Sequence, residues 1–451
     1  MEIEIISREN ITPSSPTPSN LKTYDLSLLD QLFHIPYAPT ILYYPNKNGD
    51  NFQALERSVA LKQSLSETLT QFYPLAGTIK SDLSIDCNDV GANYVVALVH
   101  CRLDEFLEHP NHRLINRFLP IEPSFAESSA GNHVTNVQVN VFECGGIAIG
   151  LCVSHKIVDG TALCTFLKGW TNMARGVQEV VYPNLTAPSL FPTKSSTWLK
   201  DAMMASSPTL LKEGSCSTKR FVFGSDAIAR LQARAAGNGG KSPTRVEVVS
   251  GFIWKCAMAA SKEANGVQKP SRLTHFVNLR PKLADTLSND FLCNMFWISY
   301  AEWLASDDET TLQALVNKVH EGIKKIDVDF VDKAQGDRGY VAMQKYLKEM
   351  GEVGSVGSIE NYSFTSWCKM GFYEVDFGFG KPSWVTGPVG DGAPLFINLV
   401  TLMDTKCGKG IEAWVNLDET EMEILQKNQD LLAYASVDPS PLVPDEVGAF
   451  V

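Results

Sequence analysis

The sequence predicts a mixed α/β protein of two domains. Three observations predict it: an alternating strand pattern and an apolar run that lead into a helix over residues 134–170, a proline-bearing polar passage at 182–217, and a second series of strands and helices beyond it. The 451 residues are 44% hydrophobic, and these are spread along the chain, enough to build sizeable cores.

Taken in order, Pro13 to Pro18 read as an extended surface segment, and Leu61, Leu65, Leu69 and Phe72 mark a helix that ends before Pro74. Tyr94 to Leu98 reads as a strand. In Val134 to Phe142 the valines 137, 139 and 141 alternate with Gln138 and Asn140, a strand pattern. Gly145 to Val153 is short, apolar and glycine-punctuated, which suits a buried strand, and Asp159 suits the N-cap of a helix whose Leu163, Phe166, Leu167 and Trp170 share one face.

Tyr182 to Ser217, with Pro183, Pro188, Pro192 and Pro208, lacks sustained periodicity and is the expected crossover between a domain at 1–181 and another at 218–451. The second domain opens with a strand at Lys219 to Phe223 and a helix from Ser225 and Asp226. A helical run follows through Val249, Phe252, Ile253 and Cys256, then an amphipathic helix on Leu312, Leu315, Val316, Val319 and Ile323. Gly351 to Ser358 reads as a mobile loop. Leu395 to Met403 and Ile411 to Leu417 read as a hairpin around Gly408 and Gly410, with a helix from about Thr420.

The formal net charge of −12 argues against general affinity for nucleic acid or anionic membranes, which need a basic surface to displace counterions. The charged amino terminus lacks an apolar signal region and no stretch reaches the length of a membrane span, so a cytosolic protein is expected. Ten scattered cysteines have neither zinc-site spacing nor the density of a disulfide framework, and reduced thiols with no bound metal are expected. No Walker sequence or dinucleotide fingerprint stands in a suitable strand-to-helix context.

The stretch that carries chemistry is His155-Lys156-Ile157-Val158-Asp159-Gly160, at a strand-to-helix junction where a side chain projects from rigid supports into a cleft. A neutral imidazole there suits a general base. The plainer reading is a histidine that merely ends a strand, with Asp159 as a helix cap.

A second rare segment favours catalysis: Asp376-Phe377-Gly378-Phe379-Gly380-Lys381-Pro382 after Thr365-Ser366-Trp367-Cys368-Lys369-Met370. Together with Phe72-Tyr73-Pro74-Leu75-Ala76-Gly77, Leu28-Leu29-Asp30-Gln31, Asn278-Leu279-Arg280 and Glu412-Ala413-Trp414-Val415, these segments resemble the plant BAHD acyltransferases, with their HxxxD and DFGWG motifs. The resemblance covers nearly the whole chain and is greatest to the vinorine synthase-like group. It implies two similar-sized mixed-sheet domains of chloramphenicol acetyltransferase-like topology with a solvent channel between them. It also implies transfer of an acyl group, most often acetyl, from coenzyme A to a hydroxyl of an alkaloid, a terpenoid or a related specialised metabolite. Acyl-CoA enters as co-substrate, no cofactor is bound permanently, and the protein is expected to be a monomer.

The resemblance assigns roles residue by residue. His155 is the base, and a single imidazole serves both steps by returning its proton to the leaving thiolate. Asp159 invites a dyad with His155, but the resemblance implies instead a structural ion pair with Arg280. Trp367 and Thr365 are the candidate donors to the oxyanion, against a plain reading as packed strand residues. Asp376 is grouped with His155 as catalytic, although its glycine-flanked setting favours holding a tight loop. Phe379 departs from the family tryptophan, which removes an indole N–H but leaves room for the same packing. Arg245 and Lys255 are candidates for the coenzyme A phosphates, against a reading as solvated surface cations. The rival functions are a catalytically silent acyl-CoA or metabolite binder, an acyltransferase making esters of simpler alcohols with a larger donor, and a hydrolase; the last lacks a Gly-x-Ser-x-Gly elbow.

Overall fold

The computed structural model describes residues 1–32, 37–46, 52–122, 130–194, 211–236, 242–283, 290–304, 310–354, 359–390 and 395–443. Two large mixed sheets dominate them. The first has six strands in the order Ile3–Ile11, Ala92–Val99, Thr135–Phe142, Ile147–Ser154, Tyr37–Tyr44 and Trp384–Thr386. The second has seven, in the order Phe296–Trp303, Ser271–Asn278, Glu360–Ser366, Leu399–Asp404, Ile411–Asp418, Cys216–Phe223 and Ser436–Val437.

At the centre of the first sheet, Thr135–Phe142 is buried on both faces, which the valine alternation alone did not foretell. Its polar face is buried because its amides find partners. Gln138 Nε2 donates to Asn140 Oδ1 at 2.8 Å and to the Arg117 carbonyl, and Asn140 Nδ2 donates to the carbonyls of Phe118 and Ala148. The helix Phe52–Gln71 is stopped by Pro74, and it packs on Gly160–Ala174, where Thr68 and Phe72 press against Gly169.

In the second half the helices Arg245–Asn265 and Leu312–Lys324 cover one face of the sheet. Tyr362, Phe364, Val400 and Leu402 point into that core, so by strand alternation Ser363 and Thr365 face the other way. The hairpin between Leu399–Asp404 and Ile411–Asp418 turns through Gly408 in the left-handed region.

Two expectations are corrected. Residues 351–354 end the helix Gly339–Gly354, and residues 355–358 of the expected loop lie outside the described residues. The span 218–451 is also not one spatial unit. Residues 372–386 leave the second sheet, bury Phe372, Val375 and Phe377 in the first core, and add Trp384–Thr386 to the edge of the first sheet, with Trp384 opposite Tyr43. An aromatic stack continues this link, since Trp384 lies 5.1 Å from Tyr43 and 5.8 Å from Trp414 of the second sheet. No helix among the described residues is long and apolar enough to cross a membrane. All ten cysteines are free of disulfides.

Candidate active site

His155 follows immediately on the strand Ile147–Ser154, and the loop that carries it is pinned at each next residue. Lys156 Nζ lies 2.8 Å from Asp82, Ile157 and Val158 are fully buried, and Asp159 caps the helix Gly160–Ala174 by accepting from Ala162 N at 2.8 Å. His155 is deeply set, though the residue keeps part of its surface exposed. Phe296 meets it edge-on at 6.2 Å.

His155 Nδ1 lies 2.9 Å from Asn294 Oδ1, while Asn294 Nδ2 donates to the His155 carbonyl at 2.6 Å and to Asp30 Oδ1 at 3.0 Å. Since both amide hydrogens are thereby occupied, the amide oxygen faces the ring, and Nδ1 is the nitrogen that carries the proton. Nε2 then holds the free lone pair that a general base needs. Burial holds the imidazole below its ordinary pKa, with Asp159 and Asn294 pulling it partway back.

Asp159 turns away from the ring. Its carboxylate takes Arg280 in a fork, Nη1 to Oδ2 at 2.7 Å and Nη2 to Oδ1 at 3.0 Å, and accepts Met295 N at 3.0 Å. Arg280 Nη2 also donates to the carbonyls of Phe291 and Cys293. At 6% and 4% exposure the pair is buried, and it ties the His155 loop of the first half to the 291–295 segment of the second.

Trp367 and Thr365 come from the strand end Glu360–Ser366 and are both partly exposed. The indole packs on Phe372 at 5.1 Å. A Cβ built at Gly160 would sit 3.5 Å from Trp367 Cδ1, the carbon bonded to the indole nitrogen, and 2.8 Å from Met370 Sδ. The indole of Trp367 therefore stands beside the first turn of the helix that His155 leads into, and it is the Met370 side chain that a larger residue at 160 would have to displace. Neither Trp367 Nε1 nor Thr365 Oγ1 is committed to a protein hydrogen bond among the described residues.

Asp376, grouped with His155 from the resemblance, lies elsewhere in the structure. Its Oδ1 accepts Gly378 N at 2.8 Å and Gly380 N at 2.9 Å, closing a turn in which both glycines have positive φ. The turn packs on Tyr44, which pairs with Ile147, whereas His155 follows Ser154 at the other end of that strand. Seven residues of antiparallel strand span about 23 Å. Phe379 meets Tyr44 edge-to-face at 5.1 Å, with Arg57 over its ring.

Arg245 and Lys255 are not brought to His155 either. Arg245 donates to the carbonyls of Gly408 and Lys409 and to Asp404 at 3.0 Å, and Lys255 pairs with Asp430 at 3.1 Å. Asp404 also accepts Lys369 N at 2.6 Å, so Arg245 braces the loop just past Trp367. Two open cavities, of about 580 and 540 Å³, lie at residues 108–113 with 217–219 and beside the Phe377–Phe379 turn, and His155 lines neither.

Asn294 and Asp30 received no role from the sequence. Asp30 stands in Leu28-Leu29-Asp30-Gln31 and Asn294 in Leu292-Cys293-Asn294-Met295, and a polar side chain inside an apolar run is the available sign of a buried hydrogen-bonding duty.

Two mixed sheets, with a tautomer-fixed histidine after a strand of the first and an uncommitted indole donor after a strand of the second, define a two-domain acyl-transfer enzyme of chloramphenicol acetyltransferase-like fold. The profile of the transferase family matches residues 1–432, and the chain belongs to this family, the acyl-CoA-dependent BAHD O-acyltransferases. It is 40% identical to epi-neemfruitin B 7-O-acetyltransferase of Melia azedarach over 98% of this chain and 100% of the relative. It is likewise 40% identical to limonoid 7-O-acetyltransferase of Citrus sinensis over 98% of this chain and 100% of the relative. The crystal structure of vinorine synthase superposes with a TM-score of 0.81 at 34% identity, over 96% of this chain and 98% of that one.

Proposed function

We propose that the enzyme moves an acetyl group from acetyl-CoA onto a hydroxyl of a limonoid-like or alkaloid-like plant metabolite bound between the two halves. The observation that carries the chemistry is the Nδ1 bond to Asn294, which leaves His155 Nε2 free. That nitrogen removes the hydroxyl proton as the oxygen attacks the thioester carbonyl; the tetrahedral intermediate then expels the thiolate, which takes the proton back from the imidazolium. Holding acceptor and thioester together makes an acyl-enzyme unnecessary. Trp367 Nε1 and Thr365 Oγ1 are the donors assigned to the oxyanion, because both are uncommitted among the described residues and the Trp367 indole stands beside Gly160.

The acceptor class rests on the limonoid 7-O-acetyltransferases at 40% identity and on the likeness to vinorine synthase. For the coenzyme A phosphates we favour the amino-terminal end of Arg245–Asn265, where Arg245 and the exposed Lys369 share Asp404. Lys255 lies about 15 Å further along that helix. We place the enzyme in the cytosol as a monomer, with residues 182–217 as the crossover between its halves. The test is mass spectrometry of the purified protein with acetyl-CoA and a panel of hydroxylated limonoids, alkaloids and simple alcohols. An acetyl ester that disappears with His155→Ala is expected; release of free acid and thiol alone, or no reaction with any acceptor, overturns the reading.

A further inference from the structure

We propose that Asp30 is a positioning residue for the transfer: through Asn294 it holds His155 in the tautomer whose Nε2 is free to act as the base. The inference rests on the reading of His155 as that base.

The Asp30 carboxylate is 1% exposed and has no cation among its hydrogen-bond partners. It accepts four bonds: from Ser27 N at 3.0 Å, Ser27 Oγ at 2.6 Å, Asn294 N at 2.7 Å and Asn294 Nδ2 at 3.0 Å. An amide side chain fits its slot in two orientations, and they have opposite consequences. With Nδ2 toward Asp30, its oxygen faces the imidazole and demands a proton on Nδ1. Flipped, its NH₂ would face Nδ1, move the ring proton to Nε2 and cancel the base. An ionised carboxylate only accepts, so it admits the first orientation and rejects the second. A protonated or amide side chain at position 30 both donates and accepts, and loses that discrimination.

Asp30 shares this task with the His155 carbonyl, which takes the other Nδ2 hydrogen at 2.6 Å, and it is the one of the two acceptors that titrates. Burial keeps the Tyr24 hydroxyl and the Cys293 thiol neutral, and Arg280 is already matched by Asp159. Burial raises Asp30 itself to about 6, with the Ser27 and Asn294 bonds pulling it back, while burial lowers His155. Protonating His155 disables the base, and protonating Asp30 weakens the hold on its tautomer, leaving the His155 carbonyl alone to orient the amide. The acid limb of the rate profile should therefore be steeper than a single proton allows.

The test has a spectroscopic arm that needs no acceptor. Protein carrying ¹⁵N-labelled histidine is examined by imidazole nitrogen NMR, with the His155 signals identified by their loss in His155→Ala. A proton on Nδ1 is expected in the unmodified protein and a shift toward the Nε2-protonated form in Asp30→Asn. In steady-state acetyl transfer, Asp30→Asn should lower kcat by about 10- to 100-fold with KM for acetyl-CoA little changed, and leave a one-proton acid limb. The milder Ser27→Ala, which removes one bond to the carboxylate, should move the acid limb up by about half a pH unit to one unit. The proposal is overturned by a resting proton on Nε2, by an unaltered tautomer and rate in Asp30→Asn, or by an unmoved limb in Ser27→Ala. Should Asp30→Asn not fold, the unmodified spectrum and Ser27→Ala decide. If the unmodified enzyme and His155→Ala are equally inert, the general-base reading fails, while the spectrum still reports the tautomer.

Discussion

Asp159 and Arg280 meet in a two-pronged ion pair at 2.7 and 3.0 Å, and the histidine four residues before Asp159 takes no part in it. The aspartate of the HxxxD motif acts here as a tie. It caps its own helix and fastens the loop of His155 to a segment more than a hundred residues away.

Breaking that tie should act first on folding. Arg280→Ala leaves a buried carboxylate without its partner and is expected to cost about 3 to 5 kcal/mol. Removing Asp159 as well should cost less than the sum of the two single changes, which urea unfolding of all four proteins measures. Strict additivity would mean that the two residues do not act as a pair.

His155→Ala should preserve the thermal midpoint to within a few degrees while lowering turnover by around two to four orders of magnitude. Burial keeps the ring below its usual pKa, so the unmodified enzyme should be fully active at pH 7 and lose rate only on the acid side. Rate against pH in both proteins checks this, and near-normal turnover in the variant would remove His155 from its role.

Trp367→Phe keeps a ring against Phe372 but deletes the indole N–H. If that N–H meets the oxyanion, kcat should fall by about 10²-fold with little change in KM. Thr365→Val offers the same comparison for the hydroxyl. A change in KM alone would instead assign these residues to ground-state binding.

At the Asp376 turn, the two glycine amides need an acceptor and not a base. Asp376→Asn should therefore retain most activity, whereas Asp376→Ala should lose stability by roughly 1 to 3 kcal/mol. Equal loss of activity in both, with stability intact, would restore a chemical role.

Phe379→Trp tests the departure from the family motif. The ring borders an open cavity of about 540 Å³, so an indole should be accommodated with activity within about twofold. A large gain in turnover would show that the missing N–H matters.

Much of the fold was legible because its signals are local. The Leu61 to Phe72 face, the Pro74 stop, the Asp159 cap and the hairpin at Gly408 each depend on residues within a turn or two of one another. Reading failed where a distant partner decides. Gly351 to Gly354 looked like loop because of its glycines, yet the helix that begins at Gly339 runs through them. The burial of Gln138 and Asn140 could not be read from alternation, because their partners, the carbonyls of Arg117, Phe118 and Ala148, belong to other segments.

By itself the sequence determined that a histidine stands at a strand-to-helix junction beside a capped helix, and that the chain resembles a family of acyltransferases. Only the tertiary structure decided what that histidine does with its two nitrogens, because Asn294 lies 139 positions after it and Asp30 lies 264 positions before Asn294. It also placed Asp376 at the far end of the sheet. Periodicity and capping act over a few residues, whereas a tautomer or an ion pair is set by whichever polar group folding brings within three ångströms, and chain order carries no measure of that distance.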